Sequence, residues 1–146
     1  MADPGAQILL ADIGATNARF ALLRRGVDIG PVRTLAVADY PKFTDAVAAF
    51  LKAEGGSPAG AVLAVAGVVE GERAVMTNCP WVIDAAELRR LLGASAVRVI
   101  NDFEATAWSL SALEPDHVAA VGAGRAVAGA PMVVLGPGTA PDVSAL

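Results

Sequence analysis

The sequence predicts an α/β domain whose sheet begins antiparallel and continues parallel. Three observations predict it. Two apolar runs, Gln7 to Ile13 and Ala18 to Leu23, flank a short glycine turn, as the arms of a hairpin do. Later apolar runs alternate with segments of helical period, the pattern of strand-helix-strand units. Hydrophobic residues make up 55% of the 146 residues and charged ones 18%, so one domain can bury a core and disorder is excluded.

The elements follow in order. After the hairpin, whose turn is Gly14 to Asn17, a turn from Arg25-Gly26 to Gly30 leads to a third strand, Val32 to Val37. A helix is expected from Lys42 to Glu54, because Phe43, Val47, Phe50 and Leu51 fall on one face, and Gly55-Gly56 ends it. Ala61 to Ala66 reads as a strand buried on both faces, as parallel strands are. Gly67 and Gly71 flank a turn before a short strand, Ala74 to Thr77. Asp84 caps the next helix with Glu87 three residues on; Leu88, Leu91 and Leu92 form its buried stripe, and Gly93 stops it. The strand Ala96 to Ile100 ends in Asn101-Asp102, a third helix runs from Phe103 to Leu113, and a short helix spans Pro115 to Val121. The last strand is Pro131 to Leu135.

Composition excludes several functions. The net charge is −4 and the arginines are scattered, apart from Arg24-Arg25 and Arg89-Arg90, so a nucleic-acid partner is not expected. The longest apolar run, Ala59 to Val69, is shorter than the roughly 20 residues of a membrane span, so no membrane partner is expected either. The opening "MADPGAQILLADIG" has no basic stretch ahead of its apolar run, which Asp12 interrupts; the expected compartment is the cytoplasm. A single cysteine, Cys79, excludes an internal disulfide and a multi-cysteine zinc site, and reads as a small buried residue. His117 reads as a surface residue and Glu104 as part of a solvated first helical turn. Trp81 and Trp108 read as packing residues, Trp81 with a second reading as a wall of a cleft.

Three stretches share one design, an apolar strand with small or acidic residues at its carboxyl end, where open α/β sheets collect ligands. In "LLADIGATNARFALL", Gly14 lets the backbone approach a phosphate, N–H groups and the Thr16 hydroxyl can bind its oxygens, and Asp12 can hold magnesium through water. The same residues also suit a plain hairpin turn with an aspartate at its rim. In "VRVINDFEA", the Asn101 amide suits sugar hydroxyls and Asp102 can accept a hydroxyl proton; Asp102 can equally cap the helix that follows. In "VVLGPGT", Gly136, Gly138 and Thr139 form a second phosphate-type turn, or a strand followed by a loop. A dinucleotide site fits poorly, because its G-x-G-x-x-G opens a helix, whereas the first glycine turn here joins two strands.

The words "ADIGATNARFAL", "AVAGVV", "TNCPWVID", "VRVINDFEATAWSL" and "VLGPGT" together resemble the sugar kinase branch of the actin and hexokinase superfamily, and most closely the bacterial glucokinase family. The resemblance runs from Ile8 to Thr139. It implies an actin-like ATPase lobe of ribonuclease H-like topology, with ATP and Mg2+ as cofactors and glucose as the substrate, phosphorylated to glucose 6-phosphate at the entry to glycolysis. By resemblance, Ala11, Asp12, Ile13, Gly14, Ala15 and Thr16 form the first ATP-binding loop, with Asp12 on the metal through water. Asn101 binds glucose hydroxyls and Asp102 is the catalytic base on the 6-hydroxyl. Asn78 lies near the sugar, and Gly136, Gly138 and Thr139 belong to the second phosphate loop.

The sequence departs from the family after Thr139. The family continues Gly-Thr-Gly-Leu-Gly into a second lobe, whereas here Ala140-Pro141-Asp142 follow and Pro141 removes a backbone donor. The expectation is a first lobe over residues 1–139, an aberrant tail over 140–146, and no second lobe. Weak turnover and self-association through the exposed interlobe face follow from it. The alternative is a lone lobe that binds sugar or a protein without catalysis.

Overall fold

The hairpin that opens the chain is formed by β1 (Gln7–Ile13) and β2 (Asn17–Arg24), antiparallel and in continuous register from Gln7↔Arg24 to Ile13↔Ala18. The computed structural model describes residues 7–24, 29–76, 78–136 and 142–145. The chain divides into two compact units, residues 1–102 and 103–146.

In the first unit, β3 (Arg33–Ala36) pairs antiparallel with β2, while β4 (Pro58–Val65) and β8 (Ala96–Asn101) extend the other side in parallel, giving the order β3-β2-β1-β4-β8. The expected change from antiparallel to parallel pairing therefore falls at β1. Period-two alternation sends Leu9, Ala11 and Ile13, Ala18, Phe20 and Leu22, and Ala61, Leu63 and Val65 to the core side. The helix α1 (Phe43–Glu54) supplies Phe43, Ala46, Val47 and Phe50 to that core. Phe20 stacks on Phe43 and Phe50 at 6.2 and 5.5 Å between ring centroids, and Trp81 meets Phe43 at 5.8 Å. The Trp81 indole N–H donates to the Tyr40 carbonyl at 2.9 Å, so its one polar atom is satisfied inside the core.

Between β4 and β8 lies a small antiparallel sheet that the sequence only hinted at: β5 (Val68–Glu70), β6 (Arg73–Val75) and β7 (Val82–Asp84). Ala74 and Ile83 are fully buried on its inner face, while Val68, Val75 and Val82 form an exposed row on its outer face. Helix α2 (Ala85–Leu92) follows; the Asp84 carboxylate accepts from Ala86 N at 2.8 Å and Glu87 N at 3.1 Å, the expected cap. Gly55 and Gly93 end α1 and α2 at φ 69° and 62°, left-handed conformations that glycine adopts at little cost. The Arg89 guanidinium clasps the Glu72 carboxylate with its two terminal nitrogens, Nη1 and Nη2, at 2.9 and 2.5 Å, tying α2 to the β5–β6 turn.

The second unit begins within α3 (Asp102–Ser109), which continues as a 3-10 turn, Leu110–Ala112; a further 3-10 turn spans Pro115–His117. The last predicted strand forms as β9 (Val133–Gly136), but it pairs antiparallel with β10 (Asp142–Ala145) in a two-stranded ribbon. The stretch expected to be an aberrant tail thus contributes that second strand.

Four smaller expectations are corrected. Val62 is 37% exposed, so β4 is closed on its core side only. Leu91 is 46% exposed, because Leu88 alone of the α2 stripe points fully inward. Trp108 is 54% exposed, its indole nitrogen 3.5 Å from the Glu104 carboxylate, and is not a packing residue. Cys79 is half-buried and free.

Candidate active site

The candidate site is built on the carboxyl ends of the three parallel strands of the first unit. Register aligns Ile13, Val65 and Asn101 across β1, β4 and β8, and one residue earlier Asp12, Ala64 and Ile100. Adjacent strands lie about 4.8 Å apart, so the ends of β1 and β8 are separated by roughly 10 Å. Alternation turns Asp12 away from the core and Asn101 toward it; the two residues share only the carboxyl edge of the sheet.

At β1 the turn is closed by Gly14 N, which donates to the Asn17 carbonyl at 3.0 Å, and by Val37 N, which donates to the Thr16 carbonyl at 2.9 Å. These bonds occupy turn carbonyls and leave Ala15, Thr16 and Asn17 exposed at the rim. Asp12 is exposed, and its Oδ2 accepts from Arg19 Nη1 at 2.8 Å across the hairpin.

At β4 the chain turns through Ala66 and Gly67. Ala66 N donates to the Ile13 carbonyl at 2.9 Å, which binds this turn to the end of β1. The Gly67 carbonyl accepts from Asn101 Nδ2 at 3.1 Å, which binds it to the end of β8. A Cβ on Gly67 would lie 2.8 Å from the Val75 carbonyl oxygen, so only glycine fits. Asp102 follows as the first residue of α3, half-buried where strand passes into helix.

Ala11, Asp12, Ile13, Gly14, Ala15 and Thr16 thus form one strand end and its turn, and Asn101-Asp102 end a strand on the same edge. Asn78 is exposed in the segment between β6 and β7. Gly136 ends β9, where the tip of the Phe103 ring fills the space a Cβ would take and would have to shift for a larger residue. Gly138 and Thr139 lie outside the described residues. Sequence reasoning missed Arg19 and Gly67. The first was within reach, since a hairpin pairing residues 13 and 18 sets 12 against 19. The second depended on a contact with β6 that no local pattern signals.

Among the described residues no three His, Cys, Asp or Glu side chains cluster to hold a metal. The exposed Asp12 carboxylate, paired with Arg19, is of the ligand type that fits magnesium, which takes one or two carboxylates and completes its shell with water and phosphate oxygens.

Among the described residues no helix is long and apolar enough to cross a membrane. A glucokinase family model matches residues 9–145. A glucokinase of Paramagnetospirillum magneticum is 45% identical over 142 residues, which cover 95% of this chain and 44% of the relative. The crystal structure of a glucokinase from an Antarctic psychrotroph superposes with a TM-score of 0.86 at 32% identity, over 96% of this chain and 46% of that one. A Balamuthia mandrillaris glucokinase, solved in complex with glucose, matches 73% of this chain and 32% of its own at 27% identity and a TM-score of 0.56. The chain therefore spans less than half the length of these relatives. By the extent of the family match and the shared fold, the chain belongs to the glucokinase family.

Proposed function

We propose that the carboxyl edge of β1, β4 and β8 is the phosphoryl-transfer edge of an ATP-dependent glucokinase working in the cytoplasm. The observation that carries the reading is the shared edge: Asp12 with its phosphate-type turn, and Asn101 with Asp102, end parallel strands separated by β4 alone. The glucose complex of the Balamuthia relative supports the choice of sugar.

The roles follow from the chemistry of the side chains. Asn101, its amide oriented by the Gly67 carbonyl, hydrogen-bonds glucose hydroxyls, and Asn78 adds a contact at the rim. Asp102 accepts the proton of the 6-hydroxyl as that oxygen attacks phosphorus, a task that contributes typically 10²–10⁴-fold. Backbone N–H groups of Ala15 and Thr16 and the Thr16 hydroxyl hold phosphate oxygens, with Gly136, Gly138 and Thr139 as the second phosphate turn. Magnesium, when bound, neutralises phosphate charge, and Asp12 holds it through water.

A second reading, sugar binding without turnover, rests on the place of Asp102 as the first residue of α3, where a carboxylate suits the start of a helix as well as it suits a catalytic base. Glucose 6-phosphate formation by the purified chain with MgATP, against Asp102→Ala, separates the two. Formation above the variant is expected of the kinase. Equal rates overturn turnover, and glucose binding that Asn101→Ala abolishes then supports the second reading.

A further inference from the structure

We infer that Arg19 is a positioning residue that occupies the Asp12 carboxylate and keeps a bare divalent cation off it until a phosphate-bearing ligand arrives. The inference rests on the reading of Asp12 as the residue that holds magnesium through water.

The hairpin register makes Asp12 and Arg19 direct cross-strand partners on the sheet face away from the core. Arg19 Nη1 lies 2.8 Å from Asp12 Oδ2. Both side chains are 56% exposed, and exposed pairs of this kind add little to stability. The fold therefore does not depend on the pair, although it sits beside the Gly14 to Asn17 turn. Its consequence is electrostatic. A guanidinium already bound to the carboxylate cancels the charge that would attract a metal ion, and an incoming cation must displace it. A nucleotide changes the balance, because its phosphates offer the guanidinium a second anion and one it pairs with well. The carboxylate then becomes available to a metal that arrives with the phosphates. Arg19 in this way couples the metal to the nucleotide.

The experiment titrates Mn2+, followed by its electron paramagnetic resonance signal, into the chain with and without ATP, for wild type, Arg19→Gln, Arg19→Lys and Asp12→Asn. Without nucleotide, Arg19→Gln is expected to bind Mn2+ roughly five- to tenfold tighter than wild type, since one positive charge within about 3 Å of the carboxylate is gone. Arg19→Lys keeps the charge and is expected to stay near wild type. With ATP present, Arg19→Gln is expected to bind the Mn2+–ATP complex more weakly than wild type. Equal Mn2+ affinities for wild type and Arg19→Gln without nucleotide overturn the inference. A different result, Mn2+–ATP binding unchanged in Asp12→Asn, overturns the metal reading of Asp12 itself, so the two failures are told apart.

Discussion

The side-chain amide of Asn101 donates to the Gly67 carbonyl at 3.1 Å, joining the end of β8 to the turn that follows β4. This bond fixes which way the amide faces. Asn101→Asp replaces the donor with a carboxylate oxygen against a carbonyl, so the side chain must turn away. Glucose affinity, followed by calorimetric titration, is expected to fall by tenfold or more, with about 1 kcal/mol lost from folding stability. An affinity unchanged in Asn101→Asp would show that the amide has no part in sugar binding.

Gly67 is constrained from the other side. Its Cβ position lies 2.8 Å from the backbone carbonyl of Val75, an atom that cannot rotate aside. Gly67→Ala is expected to cost about 1–3 kcal/mol in urea unfolding as the β5–β6 hairpin shifts. Gly71→Ala, where nothing lies within 4 Å but φ is 62°, is expected to cost less, about 1 kcal/mol.

Trp81 is the largest fully buried side chain, packed on Phe43 and bonded to the Tyr40 carbonyl. Trp81→Ala is expected to lose about 3–5 kcal/mol, a large fraction of the roughly 5–15 kcal/mol that holds a domain folded. Trp81→Phe keeps most of the volume but orphans the Tyr40 carbonyl, and is expected to lose about 1–3 kcal/mol. Thermal and urea unfolding of the two variants checks the order.

Two carboxylates make stability sensitive to acid. The Glu87 N–H, followed by that of Ala86, holds the Asp84 carboxyl below the usual carboxylate range, and the Arg89 guanidinium does the same for Glu72. Both groups bind protons more weakly folded than unfolded. Their contribution is therefore complete above the unfolded values near pH 4 and is lost as pH falls through the lower folded ones. Unfolding midpoints measured downward from pH 6 are expected to drop more steeply for wild type than for the double variant Asp84→Asn, Glu72→Gln. Parallel curves would contradict this assignment.

Much of the fold was legible because its signals are local. The hairpin shows in the glycine turn between two apolar runs, α1 in the period of Phe43, Val47 and Phe50, and α2 in the Asp84 cap. The β5–β6–β7 sheet was not, because three-residue strands are too short for alternation to register, and their partners are chosen by pairing across turns. The ribbon partner of β9 was missed for the same reason. The exposure of Val62, Leu91 and Trp108 is set by what covers each face, which spacing along the chain does not encode. Of the candidate site, the sequence offered residues adjacent along the chain, whereas the contacts that Arg19 and Gly67 make across strands were not visible in it.

The most direct test of the central claim is amide-resolved nuclear magnetic resonance of the isotopically labelled chain during a glucose titration. The account predicts shifts that saturate with glucose and concentrate at Gly67, Asn101 and Asp102. The first unit also carries a concavity of about 340 Å³ lined by Pro41, Lys42, Thr44, Pro80, Trp81 and Glu87. Shifts centred there, with Gly67, Asn101 and Asp102 unmoved, would contradict the assignment of the sugar site.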